Sequence, residues 1–224
     1  ALKFIHGKVP RSGDDAAFIQ NLLITTDMLH KKSDFPQGMT YYTAGWRSVG
    51  ASLSDIAAMG GDPIAVVAAY SSPEFRKEEI DEFIRGANEV CQIVGAEYVG
   101  GDLDNSNEFS VVTTAIGESV KPVFRRGAEL GDVVCVTGDL GRSAAAKRLF
   151  ERNENEKANE MFRFKPRIEE GLIIAQYSTS MMDSSDGLVR SLYEIGKASM
   201  CGFEIDSNTI PINEMLKEIV EDGE

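Results

Sequence analysis

Five short aspartate motifs, most of them set beside apolar runs, constrain this chain more than any other feature. They are Gly13-Asp14-Asp15-Ala16-Ala17, Thr25-Thr26-Asp27, Leu53-Ser54-Asp55, Gly100-Gly101-Asp102 and Asp183-Ser184-Ser185-Asp186-Gly187-Leu188. A carboxylate next to apolar surface is expensive to leave unpaired. Small flanking residues let backbone or a ligand approach closely. Oxygen ligands that converge without His or Cys suit Mg²⁺, and Mg²⁺ in turn brings phosphates. The pattern points to a Mg²⁺-dependent enzyme that uses ATP.

Taken singly, each motif also has a plain reading. Gly-Asp-Asp is a common turn, although two adjacent like charges sit poorly in a dry site without a cation. Thr25-Thr26-Asp27 ends an apolar strand, and its hydroxyls and carboxylate could complete an oxygen coordination sphere. Asp55 is the lone acid on a face of small residues, where a metal or a nearby arginine would balance it. Gly100-Gly101-Asp102 ends a strand, and strand ends are where α/β ligands gather. Asp183, Ser185 and Asp186 precede a helix; a cap needs one such side chain, not three. The order of the motifs carries more weight than any one of them. A Walker loop and the HRD and DFG motifs of protein kinases are absent from the sequence. Gly138-Asp139-Leu140-Gly141 reads either as an anion-binding helix start or as a plain turn.

The net charge of −13 opposes binding to nucleic acid or to an anionic membrane surface. It is compatible with ATP if the acids hold cations and the cations hold the phosphates. Glu78, Glu79, Asp81 and Glu82 read instead as a solvated helix face. Cys91, Cys135 and Cys201 are odd in number, widely spaced and without a CxxC, so neither a disulfide framework nor a zinc site is expected. Cys91 on a helix and Cys135 in a strand read as core thiols, which suits a reducing, cytoplasmic location. No transmembrane helix or signal peptide is expected. His6 and His30 read as surface or structural residues.

The apolar pattern predicts a short strand ending at Phe18-Ile19 and a strand over 22–26. A loop over 35–39 leads into a helix over about 40–59. In that helix Tyr42, Trp46, Val49, Leu53 and Ile56 form one stripe. Ala44, Ser48, Ala51, Ser54, Asp55 and Ala58 form a second face, small enough for another backbone to approach. A buried strand over 63–71, an amphipathic helix over 78–94, a short strand over 97–100 and a strand over 109–117 follow. The stretch 118–132 reads as a connector, so domains are expected over 1–120 and 126–224. The second unit is expected to hold a strand over 133–137 and a helix from 143. An exposed charged run over 151–160 and a helix from Pro166 come next. A helix with Leu188, Leu192 and Ile195 inward, a strand over 202–206 and a final helix over 213–220 complete it. This is α/β (α+β) in composition, without regular βαβ alternation.

Taken together, the ordered motifs resemble those of the thiamine-monophosphate kinases, within the superfamily of aminoimidazole-ribonucleotide synthetase and selenophosphate synthetase. The matching residues are the five motifs above, Ile56-Ala57-Ala58-Met59-Gly60, Arg125-Arg126-Gly127-Ala128 with Gly131-Asp132, and Val136-Thr137-Gly138. The resemblance implies a two-domain fold whose N-terminal domain pairs with its copy in a homodimer, closing an intersubunit β-barrel. It implies transfer of the γ-phosphoryl group of ATP to thiamine monophosphate, giving thiamine diphosphate by direct in-line transfer with several Mg²⁺ ions. Asp15, Thr25, Thr26, Asp27, Asp55, Asp102, Asp183 and Asp186 would be metal ligands, and Gly101, Arg125 and Ser185 would contact ATP. No residue would act as a general base. Where the family has His-Phe near the substrate, this chain has Asp34-Phe35, so Asp34 would face the cationic thiazolium. The family's Gly-Gly-Glu-Asp segment and C-terminal aromatic substrate contact have no counterpart here, so the second domain is expected to be incomplete. The alternatives are a sister synthetase of the superfamily, of selenophosphate or hydrogenase-maturation type, and a non-catalytic Mg·ATP-binding homologue.

Overall fold

The computed structural model describes Ile5, Lys8, Val9 and residues 11–221; His6 lies outside the described residues. Five strands form one sheet: β1 (Ala17–Ile19), β2 (Leu22–His30), β3 (Asp62–Ser72), β4 (Glu97–Asn105) and β5 (Ser110–Glu118). Their spatial order is β1-β2-β5-β3-β4, with β3 and β4 parallel and the other pairs antiparallel.

Two strands run further than the sequence predicts. β2 pairs with β5 along its whole length to His30, so Asp27 sits inside the strand rather than at its end. β4 continues through Gly100, Gly101 and Asp102 to Asn105. Gly101 allows this continuation. At φ 157° it lies so close to β3 that a Cβ there would stand 1.7 Å from the Ala68 carbonyl oxygen. A glycine pair read as a turn is here the condition for a tight parallel ladder.

One face of the sheet is covered by helices. A short helix, α1 (Lys31–Asp34), follows β2, and α2 (Tyr41–Ala58) follows a loop. The Thr40 side chain caps α2 by accepting the Thr43 N–H. α2 packs its small face on β5: the Thr113 hydroxyl donates to the Ser48 carbonyl at 2.9 Å and lies 2.6 Å from the Ser52 hydroxyl. Its other side meets α3 (Lys77–Ile93). That crossing is backbone-close, since a Cβ on Gly45 would fall 2.1 Å from the Phe83 carbonyl oxygen and one on Gly86 2.0 Å from that of Tyr42. Leu23, Val49, Leu53, Ile56, Val66, Phe83, Val90, Cys91 and Val111 fill the space between sheet and helices. Trp46 belongs to this core, and its Nε1–H donates to the Phe164 carbonyl at 2.6 Å.

The second half is helical among the described residues: α4 (Arg142–Glu151), α5 (Asn155–Phe162), α6 (Ile168–Ile174), α7 (Leu188–Ser199) and α8 (Glu214–Glu221). Ala145, Leu149, Phe150, Ala158, Phe162 and Ile219 form a smaller apolar cluster. Four expectations change here. Residues 133–137 and 202–206 form no strand, because among the described residues no neighbouring strand takes up their backbone groups. Cys135 is consequently exposed rather than core. The charged run 151–160 is partly helical, with Asn159 buried and accepting the Thr40 N–H at 2.9 Å. Leu188, Leu192 and Ile195 are only partly buried.

Candidate active site

The alternation of β2 decides which of its polar side chains face α2. Leu23, Thr25 and Leu29 are buried on that side and Asp27 shares their parity. Asp55 comes from α2, and the Thr25 hydroxyl donates to its Oδ2 at 2.6 Å. Ser52, about one turn earlier, places its hydroxyl 2.6 Å from that of Thr113, the register partner of Asp27 on β5. Asp15 comes from the bend before β1 and is buried. Asp183 arrives from the far end of the chain. The Met181 N–H donates to the Phe124 carbonyl at 3.2 Å and the Ser180 hydroxyl to that of Arg125 at 2.7 Å, which stitches this segment to the connector.

Asp15, Asp55 and Asp183 thereby present one carboxylate oxygen each, all within 4.8 Å of one another. The electrostatics are severe. Burial, followed by the negative charges of Asp27 and Asp183, pushes the Asp55 carboxyl up to about 9. Burial raises Asp27 as well, with Asp183 and Asp186 adding to it. Burial also lifts Asp15 to about 6, against the opposing pull of Arg125. The Arg125 guanidinium forks onto Asp15, Nη2 to Oδ1 at 2.6 Å and Nε to Oδ2 at 3.2 Å. One arginine against four carboxylates leaves excess negative charge. Hard oxygen donors without imidazole or thiolate fit a divalent cation such as Mg²⁺, so the residues present suit the metal the sequence suggested.

The expected site residues divide into groups. Asp15, Thr25, Asp27, Asp55, Asp183 and Arg125 come together. Ser185 and Asp186 flank them on an exposed segment, where the Ser185 hydroxyl donates to Asp183 Oδ1 at 3.0 Å. Thr26 points to the opposite face of the sheet; its hydroxyl donates to the Thr113 carbonyl and accepts from Thr114. Asp102 is exposed on the edge strand and its register partner Ala69 places it on that opposite face too. Gly101 lies beside it against Ala68. Asp34 sits at the end of α1, its Oδ2 accepting the His30 N–H at 2.8 Å and the Ser33 hydroxyl at 2.7 Å.

Two supporting residues had no place in the sequence-based site. Asp14 Oδ1 accepts the backbone N–H of Arg125 at 2.9 Å, fixing the segment that carries the guanidinium. Ser52 ties α2 to β5 through the Thr113 hydroxyl at 2.6 Å. The doubled Asp at 14–15 was a usable signal for the first. Ser52 looked like any small residue of a packed helix.

Residues 13–119 match the family described as AIR synthase related protein, N-terminal domain. A thiamine-monophosphate kinase of Halobacterium salinarum is 52% identical over 222 residues, covering 99% of this chain and 77% of that protein. A solved structure described as AaThiL complexed with AMPPCP and TMP superposes with a TM-score of 0.93 at 28% identity, covering 99% of this chain and 76% of that one. A HypE-HypF complex superposes with a TM-score of 0.80 at 21% identity, covering 99% and 77%, and shares the fold alone. With half its residues identical to such a kinase over almost its whole length, this chain belongs to the thiamine-monophosphate kinase family.

Proposed function

We propose that this chain catalyses the ATP-dependent phosphorylation of thiamine monophosphate to thiamine diphosphate by direct in-line transfer, assisted by several Mg²⁺ ions. The observation that carries the reading is the convergence of Asp15, Asp55 and Asp183 from distant parts of the chain. The similarity to a structure described with AMPPCP and TMP supports the pair of substrates.

The chemistry asks little of side-chain acids and bases. The nucleophile is an oxygen of the acceptor phosphate, already largely ionised near neutral pH because its second pKa is ~6. What the reaction needs is relief of repulsion between two polyanions, which bound Mg²⁺ supplies. Asp15, Thr25, Asp27, Asp55, Asp183 and Asp186 would hold the metal. Thr26 and Asp102, on the opposite sheet face, would hold a further ion. Gly101, Arg125 and Ser185 would contact ATP, and Asp34 the thiamine moiety. Arg125 keeps Asp15 ionised through its fork.

The division into residues 1–120 and 126–224, the cytoplasmic setting and a homodimer belong to the same reading. The outer sheet face supports the dimer, since Met28 and Val67 stand exposed there at 59% and 38% beside Thr26. Pairing two such faces would bury them and close a barrel.

The test is formation of thiamine diphosphate from ATP and thiamine monophosphate by the full-length natural protein, with Mg²⁺ and with EDTA. Mg²⁺-dependent product is expected. Mg·ATP binding with no product would turn the reading toward a sister synthetase or a non-catalytic homologue, and product that survives EDTA would remove the metal.

A further inference from the structure

Among the described residues, Arg47 has a donor without an acceptor: its Nε is fully buried with no hydrogen-bond partner. Its guanidinium carbon lies 4.5 Å from the ring centroid of Phe162, so an aromatic face steadies it without using its N–H groups. The charge that faces it is Asp34, and no ion pair joins the two. Asp34 commits Oδ2 to His30 and Ser33, while Oδ1 has no hydrogen bond among the described residues. Burying a guanidinium N–H without an acceptor is costly, and burial lowers the Arg47 pKa accordingly.

Position suggests what the missing acceptor is. Arg47 and Asp55 lie on one helix, eight residues and so about 12 Å apart along its axis. Asp27 lies on β2 and Asp34 at the end of α1, which continues directly from β2. Asp27 faces Asp55, and Asp34 faces Arg47. The two elements therefore run side by side in opposite directions, with acids at one end and an Asp–Arg pair at the other. Side chains on a helix lean toward its N-terminus, so Arg47 leans away from the acids. Thiamine monophosphate has a matching polarity, with its phosphate at one end and an aminopyrimidine at the other. The aminopyrimidine edge offers a ring nitrogen that accepts and an exocyclic amino group that donates.

We propose that Arg47 is a specificity-determining residue for the heterocyclic end of the acceptor. Its guanidinium donates to an aminopyrimidine ring nitrogen, while Asp34 accepts from the exocyclic amino group. The inference rests on the reading of the site as a thiamine-monophosphate kinase. It assigns to Arg47 the planar, forked donor geometry that a lysine lacks.

The experiment compares the full-length natural enzyme with Arg47→Ala and Arg47→Lys. Each is assayed with thiamine monophosphate and with the analogue whose amino group is replaced by a carbonyl oxygen. Loss of a hydrogen bond to a charged group predicts a rise of about tenfold or more in KM for thiamine monophosphate in Arg47→Ala. KM for ATP should stay within about twofold, and the preference for the amino substrate over the carbonyl analogue should shrink. Arg47→Lys should restore less than half of the lost preference. An unchanged KM for thiamine monophosphate would overturn the proposal. So would an equal rise in both KM values with a lowered melting temperature, which marks a structural arginine. If the unmodified enzyme forms no thiamine diphosphate, the functional reading fails first and this inference with it. Product with an unaltered KM in Arg47→Ala fails this inference alone.

Discussion

Thr25 donates its hydroxyl hydrogen to Asp55 Oδ2 at 2.6 Å, tying a sheet strand to the helix that covers it at the centre of the acidic cluster. The bond favours the ionised form of a carboxyl that burial otherwise drives toward protonation. Thr25→Val keeps the shape and removes the donor. Hydrogen bonds to charged groups contribute about 1.5–3 kcal/mol, so the Mg²⁺ concentration for half-maximal activity should rise by roughly tenfold. Thr25→Ser should restore most of it. A Mg²⁺ titration of both variants checks this, and an unchanged requirement in Thr25→Val would detach Thr25 from the metal site.

Asp55→Asn separates function from stability. The variant should lose turnover by more than about 100-fold, because a neutral amide is a poor ligand for a hard cation. In EDTA at neutral pH its melting temperature should rise, since Asp55 must take up a proton on folding and the neutral amide need not. Scanning calorimetry in EDTA together with a turnover assay decides the matter. A lowered melting temperature in the metal-free variant would contradict the electrostatic reading.

The same repulsion sets a pH dependence. Asp55 has a folded pKa of about 9 against an ordinary value of 3.8. Between those values the folded state holds a proton that the unfolded state has released, so stability falls as pH rises through that window. Asp15, at about 6, adds to the fall at the acidic end. The melting temperature in EDTA should therefore drop from about pH 4 to about pH 9, with Asp15 contributing below about pH 6 and Asp55 throughout. Mg²⁺ binds the deprotonated cluster, so the stabilisation it gives should grow over the same range. Equal Mg²⁺ stabilisation at both ends would show that the cluster is not the binding site.

Arg125→Ala strands Asp15. The Asp15 side chain is 1% exposed and its partner 20%, and breaking a buried pair from one side costs about 3–5 kcal/mol. Urea unfolding at neutral pH should show a loss of that order. Arg125→Lys should recover only part, because a point charge cannot reproduce the two-pronged contact. Equal stability of all three proteins would mean that Asp15 is protonated in the native state.

Gly101→Ala tests the long β4 strand. A methyl group 1.7 Å from the Ala68 carbonyl oxygen cannot be accommodated without parting β3 from β4. Hydrogen exchange should lose protection along both strands while α7 keeps its own. Retained protection in β4 would overturn the close approach.

Much of the site was legible because its acids are tied to local patterns. Asp15 follows a turn signature, Asp55 stands alone on a small-residue helix face, and Asp183 begins the Ser- and Asp-rich motif that precedes a helix. Pattern also found α2 and α3 and their apolar stripes. Other readings failed where local signals were ambiguous. A glycine pair announces a turn, yet in β4 it permits close strand pairing, and that depends on what lies alongside. Residues 133–137 have a strand's composition, but a strand needs a partner for its backbone groups. Arg47 was invisible as a site residue because an arginine on a helix has no local signature.

The sequence by itself determined which residues carry charge, which runs are apolar, and hence the elements and the oxygen-only chemistry. Only the tertiary structure decided which acids meet. Strand parity sent Thr25 and Asp27 to the helix-covered face and Thr26 to the other, and the stitching of residues 180–181 to the connector brought Asp183 beside Asp15 and Asp55. Periodicity is a property of neighbours along the chain. Convergence belongs to residues far apart in it, and packing alone sets their distances and the carboxyl pKa values that follow.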